Sequence, residues 1–336
     1  MCIAAWAWHC HPTHRLLLLF NRDEYHSRPT QPAQWWAAGE EAKEILGGRD
    51  ELGGGTWMGC TRDGKLAFLT NVREPSSLIG AKTRGQLPVR FLQGSLCPLE
   101  YATEIAKEAD QYNGFNLILA DVNSGTMVYI SNRPGGDPVI QTVAPGLHVL
   151  SNAAINSPWP KAMRLGQSFK RYLTIHDDAE ASLKQMVEEL MMDTARPDRS
   201  MVPDTGDDPE WEYKLSSIFI DTAKEQAKTM ARYGTRSMVA LAAKLEGEVT
   251  FYERCTVMFI QIPQEELVAC AIPPLPLYNF GGHQFFAGTK LLKLQCHPMI
   301  LYMLCACIGE YTKSVSTEVT SVSNPKSDGH KLGYYI

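Results

Sequence analysis

Two apolar runs open the chain, residues 2–8 (Cys-Ile-Ala-Ala-Trp-Ala-Trp) and residues 15–20 (Arg-Leu-Leu-Leu-Leu-Phe), joined by a polar, histidine-bearing link at residues 9–14. Short apolar runs bounded by turn residues mark buried strands, so these two predict an antiparallel hairpin. A second hairpin is predicted from residues 56–60 and 66–71 across Arg62-Asp63-Gly64-Lys65, where Asp-Gly supplies the positive φ of a tight turn. Residues 115–121 and 126–131, split by Asn123-Ser124-Gly125, give a third, and residues 147–152 add a strand that ends in polar residues. Later, residues 217–221, 234–241 and 248–253 read as closing strands, the last two turning at Glu246-Gly247.

Helical spacing appears between these groups, over residues 99–109, 160–173 and 179–192. In the last of them Leu183, Met186, Val187, Leu190 and Met191 fall on one stripe, which is a core face rather than a cofactor box. Residues 193–210 are rich in Pro, Asp and Arg without periodicity and read as a surface loop. Hairpins grouped in sequence with helices between the groups predict an α/β (α+β) protein of antiparallel or mixed sheets covered by helices, four layers in the order αββα. The pattern stops at Cys255. Residues 255–336 are apolar but broken by proline, hold five of the nine cysteines, and end in a Ser/Thr run, so residues 1–254 read as the domain and the rest as a mostly irregular tail.

Composition narrows the function classes. A formal charge of -5 on 336 residues gives no basic footprint for nucleic acid. No stretch approaches the ~18 to 20 apolar residues of a membrane span, and nothing basic precedes the first apolar run, so a soluble protein without transmembrane segment or secretory signal is expected. Nine cysteines without framework spacing or a CxxC point to reduced thiols, as in the cytoplasm.

The chemistry concentrates at Cys2 and at Asn21-Arg22-Asp23-Glu24, just past the second apolar run. If Met1 is removed, Cys2 carries a thiol and a free α-amine, which titrates near ~8 against ~10.4 for lysine and can take the thiol's proton. One residue then supplies nucleophile and base, and Arg22 and Asp23 at a strand end are placed to orient it. The plain alternatives are a chance cysteine after Met and a structural Arg22–Asp23 ion pair.

The start Met1-Cys2-Ile3 with Asn21-Arg22-Asp23-Glu24 resembles the NRDE-motif family, the homologues of transport and Golgi organisation protein 2. Supporting motifs are Arg28-Pro29, Gly54-Gly55-Thr56-Trp57-Met58-Gly59, Leu69-Thr70-Asn71-Val72-Arg73, Thr83-Arg84-Gly85, Tyr112-Asn113-Gly114-Phe115-Asn116-Leu117, Leu150-Ser151-Asn152 and Tyr233-Gly234-Thr235-Arg236-Ser237. Their order is also similar to that of N-terminal-nucleophile hydrolases of the bile-salt and penicillin amidase kind. The resemblance implies Cys2 as nucleophile, Arg22 and Asp23 as the groups that hold it, Asn71 and Asn152 as oxyanion-hole or orienting amides, and Arg236 as a second orienting cation. It implies a role in Golgi organisation, protein secretion and haem mobilisation, in the cytoplasm with Golgi or mitochondrial association. No cofactor is required, haem enters as a carried ligand beside a small-molecule ligand, and no protein partner is specified. The alternative is a cysteine hydrolase of a small amide. Text past Arg254 departs from the family's pattern and reads as a transcript variant.

Other candidates carry less. His9, Cys10, His11 and His14 offer four ligands in six residues but match no zinc spacing, and a polar hairpin tip explains them. Cys97-Pro98 has the form of a haem-thiolate pair, yet proline also suits a helix's first turn. Gly53-Gly54-Gly55 lacks the Lys and Ser/Thr of a phosphate loop and is expected to let backbone pass close to the Cys2 strand. Asp204, Asp207 and Asp208 lack calcium-loop spacing.

Overall fold

The computed structural model describes residues 2–37, 39, 42–176, 182–222 and 232–256, and the backbone of residues 264–271. Its strands form two sheets, and every neighbouring pair within them is antiparallel. The first runs β10 (Gly146–Leu150), β1 (Cys2–Trp8), β2 (His14–Tyr25), β11 (Tyr233–Lys244), β12 (Glu248–Cys255), β13 (Gln264–Ala271). The second runs β3 (Thr30–Trp36), β4 (Ile45–Asp50), β5 (Met58–Cys60), β6 (Lys65–Asn71), β7 (Phe115–Asp121), β8 (Thr126–Ser131), β9 (Val139–Thr142).

Alternation along the strands sorts the core into three layers. Ala4, Trp6, Trp8, Leu16, Leu18 and Phe20 meet Phe68, Ile118 and Tyr129 between the sheets. Their neighbours Ile3, Ala5, Ala7, Leu17 and Leu19 face the other way, onto Leu165 and Phe169 of α3 (Pro160–Ile175) and onto Leu183 and Met186 of α4 (Leu183–Met186). On the far side, Ala67, Leu117 and Leu119 pack against α1 (Gln86–Gln93) and α2 (Pro98–Ala106). The layers are therefore αββα, as the grouping of hairpins and helices led us to expect.

Several elements differ from expectation. The second strand does not stop at Phe20. β2 continues to Tyr25, because β1 pairs it as far as Arg22 and β11 pairs it on the other edge through Asp23, Glu24 and Tyr25, so the tetrad belongs to the strand's last paired residues instead of following the strand. Residues 217–221 are not a strand: only Asp221 bridges Gly234, while Phe219 N donates to Asp193 O and Ile220 N to Thr235 Oγ1. The loop at 193–210 holds a short turn of helix, Arg199–Met201, and ends in α5 (Pro209–Lys214), whose N-cap Asp208 accepts from Glu210 N. The stripe from Leu183 to Met191 is buried as expected, but it winds as α4 followed by a wider π-helical turn, Val187–Met191. Strands β3, β4 and β9 and helix α1 are additions. β4 hides behind two glycines, and Gly48 is required there because a Cβ would lie 2.2 Å from the Trp57 ring.

The expected domain boundary at Arg254 falls inside the sheet. β12 runs to Cys255, and β13 pairs with it from Glu248↔Ala271 to Cys255↔Gln264, occupying backbone groups that an open edge would leave bare. Contacts divide the chain into Met1–Leu277 and Tyr278–Ile336; of the irregular tail expected over residues 255–336, all but residues 255, 256 and 264–271 lies outside the described residues. Among the described residues no helix is long and apolar enough to cross a membrane.

Candidate functional site at the Cys2 end of the first sheet

Register builds a polar rank at one end of the first sheet. Cys2 of β1 lies opposite Arg22 of β2, Arg22 opposite Ser237 of β11, and Ser237 opposite Cys255 of β12. Since Ala4 and Phe20 face the inter-sheet core, Cys2 and Arg22, each two residues away, face it too. Asn21 and Asp23 therefore point to the helical side. Asn21 Nδ2 donates to Met191 O at 2.9 Å and to Ile218 O at 3.0 Å, tying the sheet to the helical layer. The tetrad is thus divided between two faces.

On the inter-sheet face, the Arg22 guanidinium stacks 4.0 Å above the Trp57 ring, a cation–π contact, and its Nη1 is buried without a hydrogen-bond partner. Burial lowers its pKa, and Arg236 adds to that, but a guanidinium starts so far above neutrality that the side chain remains a cation at neutral pH. Burial also pushes the Cys2 thiol up; the Asp23 carboxylate acts in the same direction, while the Asp23 backbone N–H and Arg22 oppose it. A buried thiol of raised pKa is a weak nucleophile unless a base beside it takes its proton.

On the helical face, Asp23 Oδ1 accepts from Thr235 Oγ1 at 2.6 Å and its backbone carbonyl from the Tyr233 hydroxyl at 3.1 Å. Burial raises the Asp23 pKa to about 6 against the field of Lys161. Lys161, buried in α3, donates to Leu215 O at 3.0 Å; burial lowers its pKa, and Asp23, Glu212 and Cys2 hold it up. Lys161 and Thr235 were not singled out from the sequence. Thr235 sat unremarked inside Tyr233-Gly234-Thr235-Arg236-Ser237, whereas nothing local marks Lys161.

Asn71 and Asn152 meet where β6 and β10 end. Asn152 Nδ2 donates to the backbone and side-chain oxygens of Asn71, each at 3.0 Å, and Ser151 Oγ donates to Asn152 Oδ1 at 3.0 Å and to Cys2 O at 3.3 Å. Both amide hydrogens of Asn152 are spent on Asn71, so Asn152 is arranged as an orienting group. Asn71 Nδ2, with one long 3.4 Å contact to Val72 O, keeps donor capacity for an oxyanion. Arg84 joins this end: its Nη1 donates to Gly114 O at 2.7 Å, burial lowers its pKa and Cys2 raises it. Its signal was the Thr83-Arg84-Gly85 motif.

Arg236 stands apart from Cys2. It is the extra residue of a β-bulge between Thr235 and Ser237, and its Nη1 donates to the carbonyls of Tyr25 and Arg28 and to Thr30 Oγ1 at 3.1 Å. With Arg22, Trp57, Ser237 and Glu253 it lines a cavity of about 220 Å³. Cys2, Asp23, Asn71 and Asn152 do not line that cavity. The sequence-marked residues thus take different places: Arg22 and Arg236 line the cavity, Cys2 sits one strand over, Asp23 is on the opposite face because adjacent strand residues alternate, and the two asparagines lie at the junction with the second sheet.

The remaining candidates resolve simply. Gly55 passes Gly85 rather than the Cys2 strand: a Cβ there would lie 2.3 Å from the Gly85 carbonyl carbon, and Thr56 N donates to Gly85 O at 3.0 Å. Pro98 opens α2, with Cys97 N donating to Glu100 Oε2 at 2.9 Å. In the histidine link, His11 Nδ1 and His14 Nδ1 lie 3.3 Å apart with Thr13 Oγ1 against both, and among the described residues no three ligating side chains converge to hold a metal.

Comparison with known proteins matches residues 1–257 to the family described as Transport and Golgi organisation 2. The human Transport and Golgi organization protein 2 homolog is 34% identical over 248 residues, covering 72% of this chain and 86% of that protein. The mouse Transport and Golgi organization 2 homolog is 32% identical over 244 residues, with the same coverage. Among solved structures, an R18L variant of conjugated bile acid hydrolase from Clostridium perfringens covers 81% of this chain and 92% of its own at a TM-score of 0.45 and 9% identity, a likeness too loose to bear on chemistry. With more than half its length under the family's pattern and relatives above 30% identity, this chain belongs to the Transport and Golgi organisation 2 family.

Proposed function

We propose that this chain is a cytoplasmic factor in Golgi organisation and protein secretion, and that its working part is a ligand site at the polar end of the first sheet. Family membership and the relatives' names support the cellular role. One observation supports the site: Arg22, which lines the cavity, keeps a buried Nη1 without a hydrogen-bond partner. Leaving such a donor unsatisfied costs about 1 to 3 kcal/mol, more for a charged group, and a ligand that accepts from it removes that cost. The test is rescue in cells lacking the protein, followed by Golgi morphology and secretion of a reporter. Wild type should restore both and Arg22→Met should not; equal restoration at equal abundance would detach the site from the role.

Haem belongs to the same proposal as a carried ligand. Drug-sized ligands occupy sites of ~300 to 1,000 Å³, above the about 220 Å³ here, so haem would have to widen the cavity or dock beside it. An unshifted Soret band at stoichiometric haem rejects it.

A second reading, an N-terminal-nucleophile hydrolase of a small amide, is supported by the hydrogen-bond chain from Asn71 through Asn152 and Ser151 to Cys2 O, with Asn71 Nδ2 keeping donor capacity. The thiol would add to the carbonyl as its proton passes through the α-amine to the leaving amine, and water would then cleave the thioester, returning the thiol. Removal of Met1 is its first condition, and mass spectrometry of the mature chain decides it.

A further inference from the structure

We propose that the cavity between β2, β11 and β3 is a carboxylate site in which Arg22 and Ser237 bind one end of a short organic acid and Arg236 closes the positive wall. The inference rests on the reading that a ligand meets Arg22, but on neither the cellular role nor thiol chemistry.

Two side chains point to a ligand. Arg22 is 5% exposed and Ser237 4%, both line the cavity, and Arg22 Nη1 and Ser237 Oγ are buried without hydrogen-bond partners. They face each other across the β2–β11 pair, so their orphaned N–H and O–H serve one small volume. The bulge makes this possible. A regular strand would send Arg236 and Ser237 to opposite faces, whereas the extra residue turns both toward the cavity.

Charge and shape choose the ligand. The charged lining residues are Arg22, Arg236 and Glu253, with Glu253 Oε2 accepting from Ala33 N at 2.6 Å. His26 also lines the cavity; burial, then Arg232 and Arg236, lower its pKa to about 4, so it is neutral at pH 7. Two cations against one carboxylate leave one positive charge, which matches a monoanion better than a phosphate dianion. Just outside, Arg28 pairs with Asp50 at 2.7 Å and lies 4.0 Å from Glu24, which adds no net attraction for a second negative charge. A guanidinium fork and a hydroxyl present donors that two carboxylate oxygens accept. Trp57 and Pro32 supply an apolar wall, and about 220 Å³ admits a short acyl chain.

The test is calorimetric titration of the full-length chain with hexanoate, hexanamide and inorganic phosphate. Hexanoate should bind one to one and at least tenfold tighter than either competitor. Ser237→Ala should weaken it roughly 10-fold or more, the worth of a hydrogen bond to a charged group. Arg22→Lys, which keeps the charge and loses the fork, should also weaken it; unfolding temperatures read alongside separate lost binding from lost fold. Equal affinity for hexanamide, tighter binding of phosphate, no binding by wild type, or Ser237→Ala binding like wild type each overturn the proposal. If no acid binds while Arg22→Met still fails to restore secretion, the ligand class is wrong and the site at Arg22 stands.

Discussion

Asn21 opens the charged tetrad, yet its side chain faces helices rather than the cavity, so Asn21→Ala should cost stability and spare ligand binding. Two hydrogen bonds are lost, to Met191 O and Ile218 O, each worth about 1 kcal/mol net. The two carbonyls then become orphans in a fully buried site, adding about 1 to 3 kcal/mol. Against this, Asn21 Oδ1 is itself buried without a partner, and removing it returns about 1 kcal/mol. The balance is a loss of about 2 to 4 kcal/mol. For a folded unit of this size each kcal/mol moves the unfolding midpoint by about 2 to 4 °C, so the midpoint should fall by roughly 5 to 15 °C. Urea unfolding with unchanged m-value would measure the loss, and titration with a cavity ligand would show affinity preserved. A change below about 0.5 kcal/mol, or lost binding without lost stability, would refute the assignment of Asn21 to the helical side.

Asp23 gives a pH test. Its folded pKa of about 6 stands above the ordinary 3.8, so the folded state holds its proton more tightly. Its contribution to stability is present below about pH 4 and is lost as pH rises through about 6, at about 1.4 kcal/mol per pH unit, a ceiling of about 3 kcal/mol. Asp23→Asn keeps an acceptor for Thr235 and should flatten the stability profile between pH 4 and 6, and an unchanged slope there would count against the buried carboxylate. Lys65 Nζ donates to Phe91 O at 3.2 Å and to Gly94 O and Leu96 O at 2.8 Å, capping the C-terminal end of α1. Lys65→Met should lower stability by about 2 kcal/mol, read by thermal unfolding; no loss would mean that water serves those carbonyls equally well.

The tetrad shows how far a sequence can be read. Its four polar residues after an apolar run look like one charged cluster at a strand end. Pairing with β11, more than 200 residues away, keeps them within the strand and sends alternate side chains to different layers. The thiol and the guanidinium stayed together because register, not sequence distance, sets cross-strand neighbours. Glu253 and Lys161 gave no local sign of approaching the site, since a lone charge at a strand end or in a helix's first turn is ordinarily solvated.

By itself the sequence determined the apolar runs, the hairpin turns and the helical stripes, hence the layer order, because burial periodicity is a local property of the chain. It also determined the motifs that mark the family. Tertiary structure alone decided which edges pair, where the bulge at Arg236 falls, which tetrad side chains face the cavity, and that the sheet continues past Arg254. Those depend on strand register between distant segments, where a shift of one residue exchanges the two faces of a strand.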